Sequence, residues 1–455
     1  MKTSNIRVVS AAFLATLLLC IASLSHSGSA QQTQQRSART TCSVIPFPSS
    51  LTYVGGLNDG SQFSNGLGNA LRVQRMTLGT TDVLIVAVGQ DGNGSGMVEI
   101  YFVDPTTGAL LDGTNIGSTT QVQPHISAYV GVAIRSISGG DVNADGIPDF
   151  ALGSPAGAAF ALVGVVSNGV LNYQVFNLPA PSNTSGFGAS TAMGDLNGVP
   201  GDEIAIGATG GATGGQTSVG EVAIFTFNGL TFTNTQNISS PSMGDLFGSA
   251  LAIANVTGTS ANDLIVGAKG SAVNGASAAG RIFVFPGPVS ASNYQTFTTG
   301  IKGDQLGASV VAGNVDGGVT DVIGATSYSS TNPRANVYSG STTSGEAPSL
   351  TLYPISGLSG LWLAGDSGDL NGDGLDDVIA GAATGCGGTA YVYLSGGGLP
   401  LTNRLALQTP VSGTSKFGSS VAIGPGSRLF FVGDSLVTVG STFGNNGQVY
   451  VFKLN

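Results

Sequence analysis

Two nine-residue stretches carry oxygen-bearing side chains at the same spacing: Asp141-Val-Asn143-Ala-Asp145-Gly-Ile147-Pro-Asp149 and Asp369-Leu-Asn371-Gly-Asp373-Gly-Leu375-Asp-Asp377. Each has Asp, Asn, Asp and Asp at positions one, three, five and nine, and a glycine at position six for a sharp bend. Hard cations that take six to eight oxygen ligands suit this set, in which position seven contributes a backbone carbonyl. We therefore predict calcium in both loops, held by Asp141, Asn143, Asp145, Ile147, Asp149, Asp369, Asn371, Asp373, Leu375 and Asp377.

A third stretch, Asp195-Leu-Asn197-Gly-Val199-Pro-Gly201-Asp-Glu203, keeps the oxygen side chains at positions one, three and nine but has Val199 at position five. We predict a weaker third calcium site there, formed by Asp195, Asn197, Gly201 and Glu203. Two further stretches, which begin at Asn255 and Asn314, depart more from the pattern. We expect these two to close by turn hydrogen bonds without a metal.

Two other interpretations of the loops deserve comparison with calcium binding. An EF-hand needs a bidentate glutamate at position twelve, where the first two stretches have Leu152 and Ala380, so it is excluded. An Asx-turn, in which Asp and Asn bond only to their own backbone, explains one such loop without a metal. The recurrence of the whole pattern favours the cation, and the Asx-turn stays open as the alternative.

The N-terminal residues have the pattern of a secretory signal peptide. Lys2 and Arg7 form a basic start, residues 8–24 are mostly apolar, and small residues lead up to Ala30. We predict a signal peptide over residues 1–30, a polar leader over 31–41 and one domain over 42–455. The mature protein is then secreted or held at the cell surface.

Histidine and cysteine are too scarce for the common metal and nucleophile chemistry. Beyond residue 30 the chain has one histidine, His125, and two cysteines, Cys42 and Cys386. Three or four Cys and His ligands for zinc are not available, and no nucleophile-elbow sequence occurs. We interpret His125 as a surface-loop residue and predict no enzyme activity, while export permits a disulfide between the two cysteines.

Composition limits the class of protein and of partner. The chain of 455 residues has Gly 72 and Pro 18, with 41% hydrophobic and 9% charged residues, which favours a turn-rich β protein with a core. Lys+Arg 15 against Asp+Glu 25 gives a net charge of -10, so nucleic acid is not an expected partner. The uncharged stretch 150–171 is interrupted by glycines and Pro155, so we predict buried strands and no transmembrane helix.

These loops belong to a repeat of about sixty residues. A short apolar run that ends in glycine recurs seven times, at Val83–Gly89, Phe150–Gly153, Ile204–Gly207, Leu264–Gly267, Val322–Gly324, Val378–Gly381 and Leu436–Gly440. Each run lies within a group of four strand-like segments, and four short strands per repeat are typical of a propeller blade. The sequence predicts an all-β fold, a seven-bladed β-propeller.

The start of the better repeats resembles the FG-GAP repeat of integrin α-subunit N-terminal domains and of many secreted bacterial proteins. Phe187-Gly188 and Phe247-Gly248 match the first half of the motif, and Gly207-Ala208 and Gly267-Ala268 match the second. The resemblance covers about residues 50–455. It implies calcium loops and a ring closed by an N-terminal strand that completes the last blade, for which residues 42–54 are the candidates.

The resemblance also implies a function in adhesion or ligand recognition, with an extracellular protein or glycan as the partner. Propellers also host hydrolases and lyases, so an extracellular enzyme is the second interpretation. A structural component of a surface or matrix is the third. Fold alone does not decide among them.

Overall fold

The computed structural model describes residues 48–57, 66–90, 96–111, 125–167, 170–210, 218–240, 242–327, 332–340, 344–354, 364–383, 387–396, 403–410, 415–436 and 447–455. The predicted signal peptide, residues 1–30, and the polar leader, residues 31–41, lie outside these ranges. Cys42 and Cys386, between which export permits a disulfide, lie outside them too.

The described residues form seven four-stranded antiparallel sheets, which are the blades of a β-propeller. In sheet order from the axis outward, blade one is β2 (Ala70–Leu78), β3 (Thr81–Gly89), β4 (Met97–Val103) and β5 (His125–Tyr129); blade two is β6 (Ser136–Gly140), β7 (Asp149–Ser154), β8 (Ala158–Ser167) and β9 (Val170–Leu178); blade three is β10 (Phe187–Gly194), β11 (Glu203–Ala208), β12 (Glu221–Phe227) and β13 (Phe232–Ser239); blade four is β14 (Phe247–Ala254), β15 (Asp263–Ala268), β16 (Arg281–Phe285) and β17 (Gln295–Phe297).

The remaining three blades repeat this order. Blade five is β18 (Ser309–Gly313), β19 (Asp321–Ala325), β20 (Ala335–Tyr338) and β21 (Leu350–Leu352); blade six is β22 (Ala364–Gly368), β23 (Asp377–Ala382), β24 (Thr389–Leu394) and β25 (Asn403–Leu407); blade seven is β26 (Phe417–Ile423), β27 (Leu429–Asp434), β28 (Gln448–Leu454) and β1 (Leu51–Leu57). The innermost strands contact one another in a closed ring, from β2 through β26 and back to β2. The predicted seven-bladed propeller is confirmed.

The second strand of a blade is its most buried element. In blades two to seven every residue of this strand is buried, because neighbouring blades cover both faces of the sheet. This burial explains why the strands appear in the sequence as short continuous apolar runs. In the stretch 150–171, the candidate membrane segment, the described residues include most of β7, all of β8 and the start of β9. No helix in the described part of the chain is long and apolar enough to cross a membrane.

The apolar run assigned to blade seven was wrong. The second strand of this blade is β27, in which Gly433 pairs with Ser420 just as Gly207 pairs with Ser190 in blade three. The run Leu436–Gly440 follows β27, and its residues 437–440 lie outside the described ranges. Both runs are apolar and end in glycine, so composition alone does not distinguish them.

Glycines in two adjacent blades explain the repeat motif. A Cβ on Gly153 would lie 2.4 Å from the backbone oxygen of Gly188, and one on Gly433 would lie 2.1 Å from that of Gly68. The glycine of the second strand contacts the glycine at the start of the next blade at five junctions, while Gly89 and Gly324 meet isoleucine side chains. The large residue before the second glycine, such as Phe187, is buried between the two blades.

The ring closes by pairing the two ends of the described chain. Strand β1 pairs antiparallel with β28, from Leu51 opposite Leu454 to Leu57 opposite Val449. The Tyr53 ring packs against the ring of Phe452 with centroids 5.8 Å apart. The predicted closure is confirmed: the closing strand is Leu51–Leu57, and residues 42–47 of the predicted segment lie outside the described ranges. Blade seven thus takes its outermost strand from the N-terminal side.

Candidate metal centre

Five equivalent loops connect the first and second strands of blades two to six, on one face of the propeller. Position one of each loop directly follows the first strand, and position nine is the first residue of the second strand; the blade-five loop is one residue shorter, and its last residue, Asp321, is numbered nine because it is equivalent. Position nine is an acid in all five loops, and these side chains are buried: Asp149, Glu203, Asp263, Asp321 and Asp377. The fold thus gathers all the predicted metal ligands into three of these loops.

The acid at position nine fastens each loop to its own backbone. Its carboxylate accepts a hydrogen bond from the N–H of position two at 2.7–3.0 Å in every one of the five loops. In blade two, Asp149 also accepts the N–H of Gly164 at 2.7 Å, and in blade six Asp377 accepts the N–H of Ser395 at 2.7 Å. The sequence pattern indicated a metal ligand at this position and gave no sign of this structural role.

The blade-two loop brings its first three oxygen side chains close together. The N–H of Asp145 donates both to Asp141 Oδ1 at 3.1 Å and to Asn143 Oδ1 at 3.3 Å. Two oxygens that share one donor must lie near each other. Asp145 Oδ1 in turn accepts the N–H of Ile147 at 2.8 Å, and Asn143 Nδ2 lies 2.9 Å from Asp145 Oδ2.

The blade-six loop has the same hydrogen bonds. The N–H of Asp373 donates to Asp369 Oδ1 at 3.2 Å and to Asn371 Oδ1 at 2.8 Å, while Asp373 Oδ1 accepts the N–H of Leu375 at 2.9 Å. The glycine at position six, Gly374, has a φ of 88°, which favours glycine. Two loops that are distant in sequence therefore have one geometry.

The side-chain and backbone oxygens of these loops are of the kind that calcium takes as ligands. Among the described residues no group of three or more His, Cys, Asp or Glu side chains is placed to hold a metal. A cation in these loops must therefore also use the amide oxygen of Asn143 or Asn371 and a backbone carbonyl, which are ordinary calcium ligands. The same hydrogen bonds are also those of Asx-turns, so both interpretations agree with the geometry.

Charge in the loops favours a cation. The pKa of Asp149 is raised to about 7, chiefly by burial and in smaller part by the nearby negative charges of Asp141 and Asp145. Burial likewise raises the pKa of Asp377. A positive ion between these carboxylates would offset both the repulsion and the cost of burying charge.

The blade-three loop lacks the oxygen at position five. Val199 occupies that position and is 58% exposed. Asn197 Nδ2 donates to Glu203 Oε1 at 2.5 Å, and Asp195 Oδ1 accepts the N–H of Gly198 at 2.6 Å. Gly201, a predicted ligand, lies close to blade two: a Cβ there would lie 2.7 Å from the backbone oxygen of Val142, so the position favours glycine.

Threonine hydroxyls replace the ligands in blade four. Thr257 Oγ1 and Thr259 Oγ1 donate to Asp263 Oδ1 at 2.9 Å and 3.2 Å. In blade five Asn314 Oδ1 accepts the N–H of Gly317 at 2.8 Å. Hydrogen bonds close both loops, and the expectation that they hold no metal stays a prediction.

His125 begins strand β5 and does not lie in a surface loop. Its Nε2 atom is 3.7 Å from Glu99 Oε2, and the hydroxyl of Ser127 donates to the same oxygen at 2.7 Å. The serine therefore bonds to the buried glutamate and not to the histidine. This arrangement differs from a serine nucleophile that is activated by a histidine base.

Comparison with known proteins adds no family assignment: no protein-family model matches the chain, and no curated protein matches it.

Proposed function

We propose that the chain is a secreted or cell-surface calcium-binding propeller that recognises an extracellular protein or glycan, as an FG-GAP protein similar to the integrin α-subunit propeller. The proposal of calcium binding rests on the pair of loops in blades two and six. These loops share the nine-residue pattern, the position in the blade and the hydrogen bonds. The adhesion part rests on the family resemblance.

In this proposal the first calcium is held by Asp141, Asn143, Asp145, the carbonyl of Ile147 and Asp149. The second is held by the matching residues of blade six, and a weaker third by those of blade three. Calcium would supply positive charge to loops that carry three carboxylates in blades two and three and four in blade six. We assign the ion a structural role. The oxygens that would bind it also accept hydrogen bonds from the backbone N–H groups of the loop, so the ion would hold the loop in shape.

Binding is a better proposal than catalysis for this chain. The acids at position nine are fixed by backbone N–H donors, and the hydroxyl of Ser127 bonds to Glu99 and not to His125. A protein of this kind reaches the outside through the predicted signal peptide, residues 1–30. A screen against matrix proteins and glycans, run with calcium and with a chelator, tests the recognition, and hydrolase assays on the same sample test the enzyme alternative.

The calcium sites are tested by calorimetric titration of the mature protein. We expect two strong sites in the unmodified chain and one in each of the variants Asp145→Ala and Asp373→Ala. Asp316→Ala is the matched control, because Asp316 is an exposed aspartate in the equivalent loop of blade five. Absence of calcium binding at millimolar concentration would support the Asx-turn interpretation and contradict this proposal.

A further inference from the structure

The loops of adjacent blades are joined by a repeated backbone contact. The N–H of Asp202, at position eight of the blade-three loop, donates to the backbone oxygen of Asp141 at 2.9 Å, and Asp202 Oδ2 accepts the N–H of Asp141 at 2.8 Å. One residue of blade three thus bonds both backbone groups of position one in blade two. We call this arrangement the interblade clamp.

The clamp recurs between blades five and six. The N–H of Asp376 donates to the backbone oxygen of Asn314 at 2.7 Å, and Asp376 Oδ2 accepts the N–H of Asn314 at 2.8 Å. Between blades three and four the backbone half of the clamp is present, with the N–H of Asn262 on the backbone oxygen of Asp195 at 2.8 Å. In each case position eight of one blade holds position one of the preceding blade.

The residue before position one is adapted to the clamp. A Cβ on Gly140 would lie 2.4 Å from Asp202 Oδ2, and a Cβ on Gly313 would lie 3.1 Å from Asp376 Oδ2. A side chain at Gly140 would therefore displace the carboxylate from the N–H of Asp141. The glycine at the end of the first strand and the aspartate in the next blade form one unit.

We propose that Asp202 and Asp376 are positioning residues that couple the loops of adjacent blades. Asp202 fixes the backbone of Asp141, the first predicted ligand of blade two, while it lies between Gly201 and Glu203, two predicted ligands of blade three. Calcium in one of these loops therefore favours the bound shape of the other. Asp376 links the blade-six site to the blade-five loop, which has no full ligand set. The inference rests on the proposed calcium sites.

The coupling is tested with Asp202→Ala and Asp202→Asn. Loss of the acceptor leaves the N–H of Asp141 without its partner, so we expect Asp202→Ala to bind calcium in blade two roughly tenfold more weakly at unchanged stoichiometry. Asp202→Asn keeps an acceptor oxygen and is expected to restore the affinity to within about threefold. The blade-six site is the internal reference, since its affinity is expected to stay the same in both variants.

A second measurement does not depend on metal. Amide hydrogen exchange at Asp141, in the presence of chelator, is expected to be about tenfold faster in Asp202→Ala than in the unmodified protein and in Asp202→Asn. Unchanged affinity and unchanged exchange would overturn the clamp. The failure of the calcium proposal looks different, because then the unmodified protein binds no calcium while the exchange difference at Asp141 persists.

Discussion

The Cα of Gly207 in blade three faces the backbone oxygen of Gly248 in blade four, so closely that a Cβ on Gly207 would lie 2.2 Å from that oxygen. Backbone cannot move away as a flexible side chain can, so Gly207→Ala must push the two blades apart. We expect the free energy of unfolding to fall by about 1–3 kcal/mol. Urea denaturation of the variant and of the unmodified protein measures this free energy.

Gly55→Ala is the control for this substitution. Gly55 lies in β1, and a Cβ there would meet nothing within 4 Å. We expect Gly55→Ala to change the free energy of unfolding by less than about 1 kcal/mol. Equal losses in the two variants would mean that the glycine contact between blades is not what the repeat motif preserves.

A second prediction concerns the closing strand. Leu57 is 2% exposed and packs among residues of blades seven and one, so Leu57→Ala is expected to cost about 2–5 kcal/mol. Thr52→Ala, at an exposed position of the same strand, is expected to be nearly neutral. Thermal melts of both variants check this. A Leu57→Ala protein as stable as Thr52→Ala would show that β1 adds little to the ring.

Deletion tests the same closure more severely. Removal of residues 31–47 is expected to leave the melting temperature unchanged, whereas removal of residues 31–57 also removes β1 and exposes the edge of β28. We expect the longer deletion to lower the melting temperature and to promote association of chains. Light scattering with the thermal melt distinguishes a stable monomer, which would contradict the prediction, from an aggregating one.

Chelation of calcium is the third prediction. A ligand that binds only the folded state stabilises it by about 2.7 kcal/mol per site at a hundredfold excess over Kd. We therefore expect a chelator to lower the melting temperature of the mature protein, and to lower it less in the double variant Asp145→Ala with Asp373→Ala. An identical melt with and without chelator would remove the structural role assigned to the ion.

The fourth prediction is a pH dependence at Asp321, in the loop of blade five. Burial raises the pKa of this fully buried acid to about 6, with smaller contributions from the charges of Asp316 and Asp376. The folded state therefore holds the proton more tightly than the unfolded chain, whose pKa is about 3.9. The stabilisation this proton gives is complete below about pH 4 and is lost as the pH rises through about 6.

Asp321→Asn removes that titration. Relative to the unmodified protein, the variant is expected to gain about 2–3 kcal/mol in the free energy of unfolding between pH 4 and pH 7.5, whatever its offset at pH 4. Urea titrations at several pH values measure the difference. A constant difference over this range would mean that the side chain is as well solvated in the fold as in the unfolded chain.

Much of the fold could be predicted because the repeats share the same short sequence patterns. Apolar runs such as Ile204–Gly207 mark the buried second strands, and Phe187-Gly188 marks the start of a blade, since the glycine contact between them recurs at five of the junctions between blades. The second strand of blade seven was assigned wrongly because Leu436–Gly440 is, like Leu429–Gly433 of the true strand β27, a short apolar run that ends in glycine. Pairing with Ser420 distinguishes Gly433, and pairing is not visible in one sequence.

The candidate site could be predicted in part. The spacing placed Asp141, Asn143 and Asp145 in one loop, because residues within a nine-residue turn stay close to one another. It did not predict that Asp202, sixty-one residues later, bonds to Asp141, since this contact depends on how two blades pack. The glycine before position one is the one sign of this contact in the sequence. Gly140 precedes Asp141 and Gly313 precedes Asn314, and in the next blade these two positions are bonded by Asp202 and Asp376.

The pairing of β1 with β28 has a consequence for biosynthesis. The residues from Leu57 to Gln448 must all be made before β1 can meet its partner, which takes about 20–80 s at roughly 5–20 residues per second. Until β28 is made, β1 lacks the one strand it pairs with, and Leu51 and Leu57, which are buried in the folded protein, lack the cover that blade seven gives them. The earliest of the described strands to be synthesised thus pairs only when the last one is made, and this waiting period is when a chaperone would be of most use to the chain.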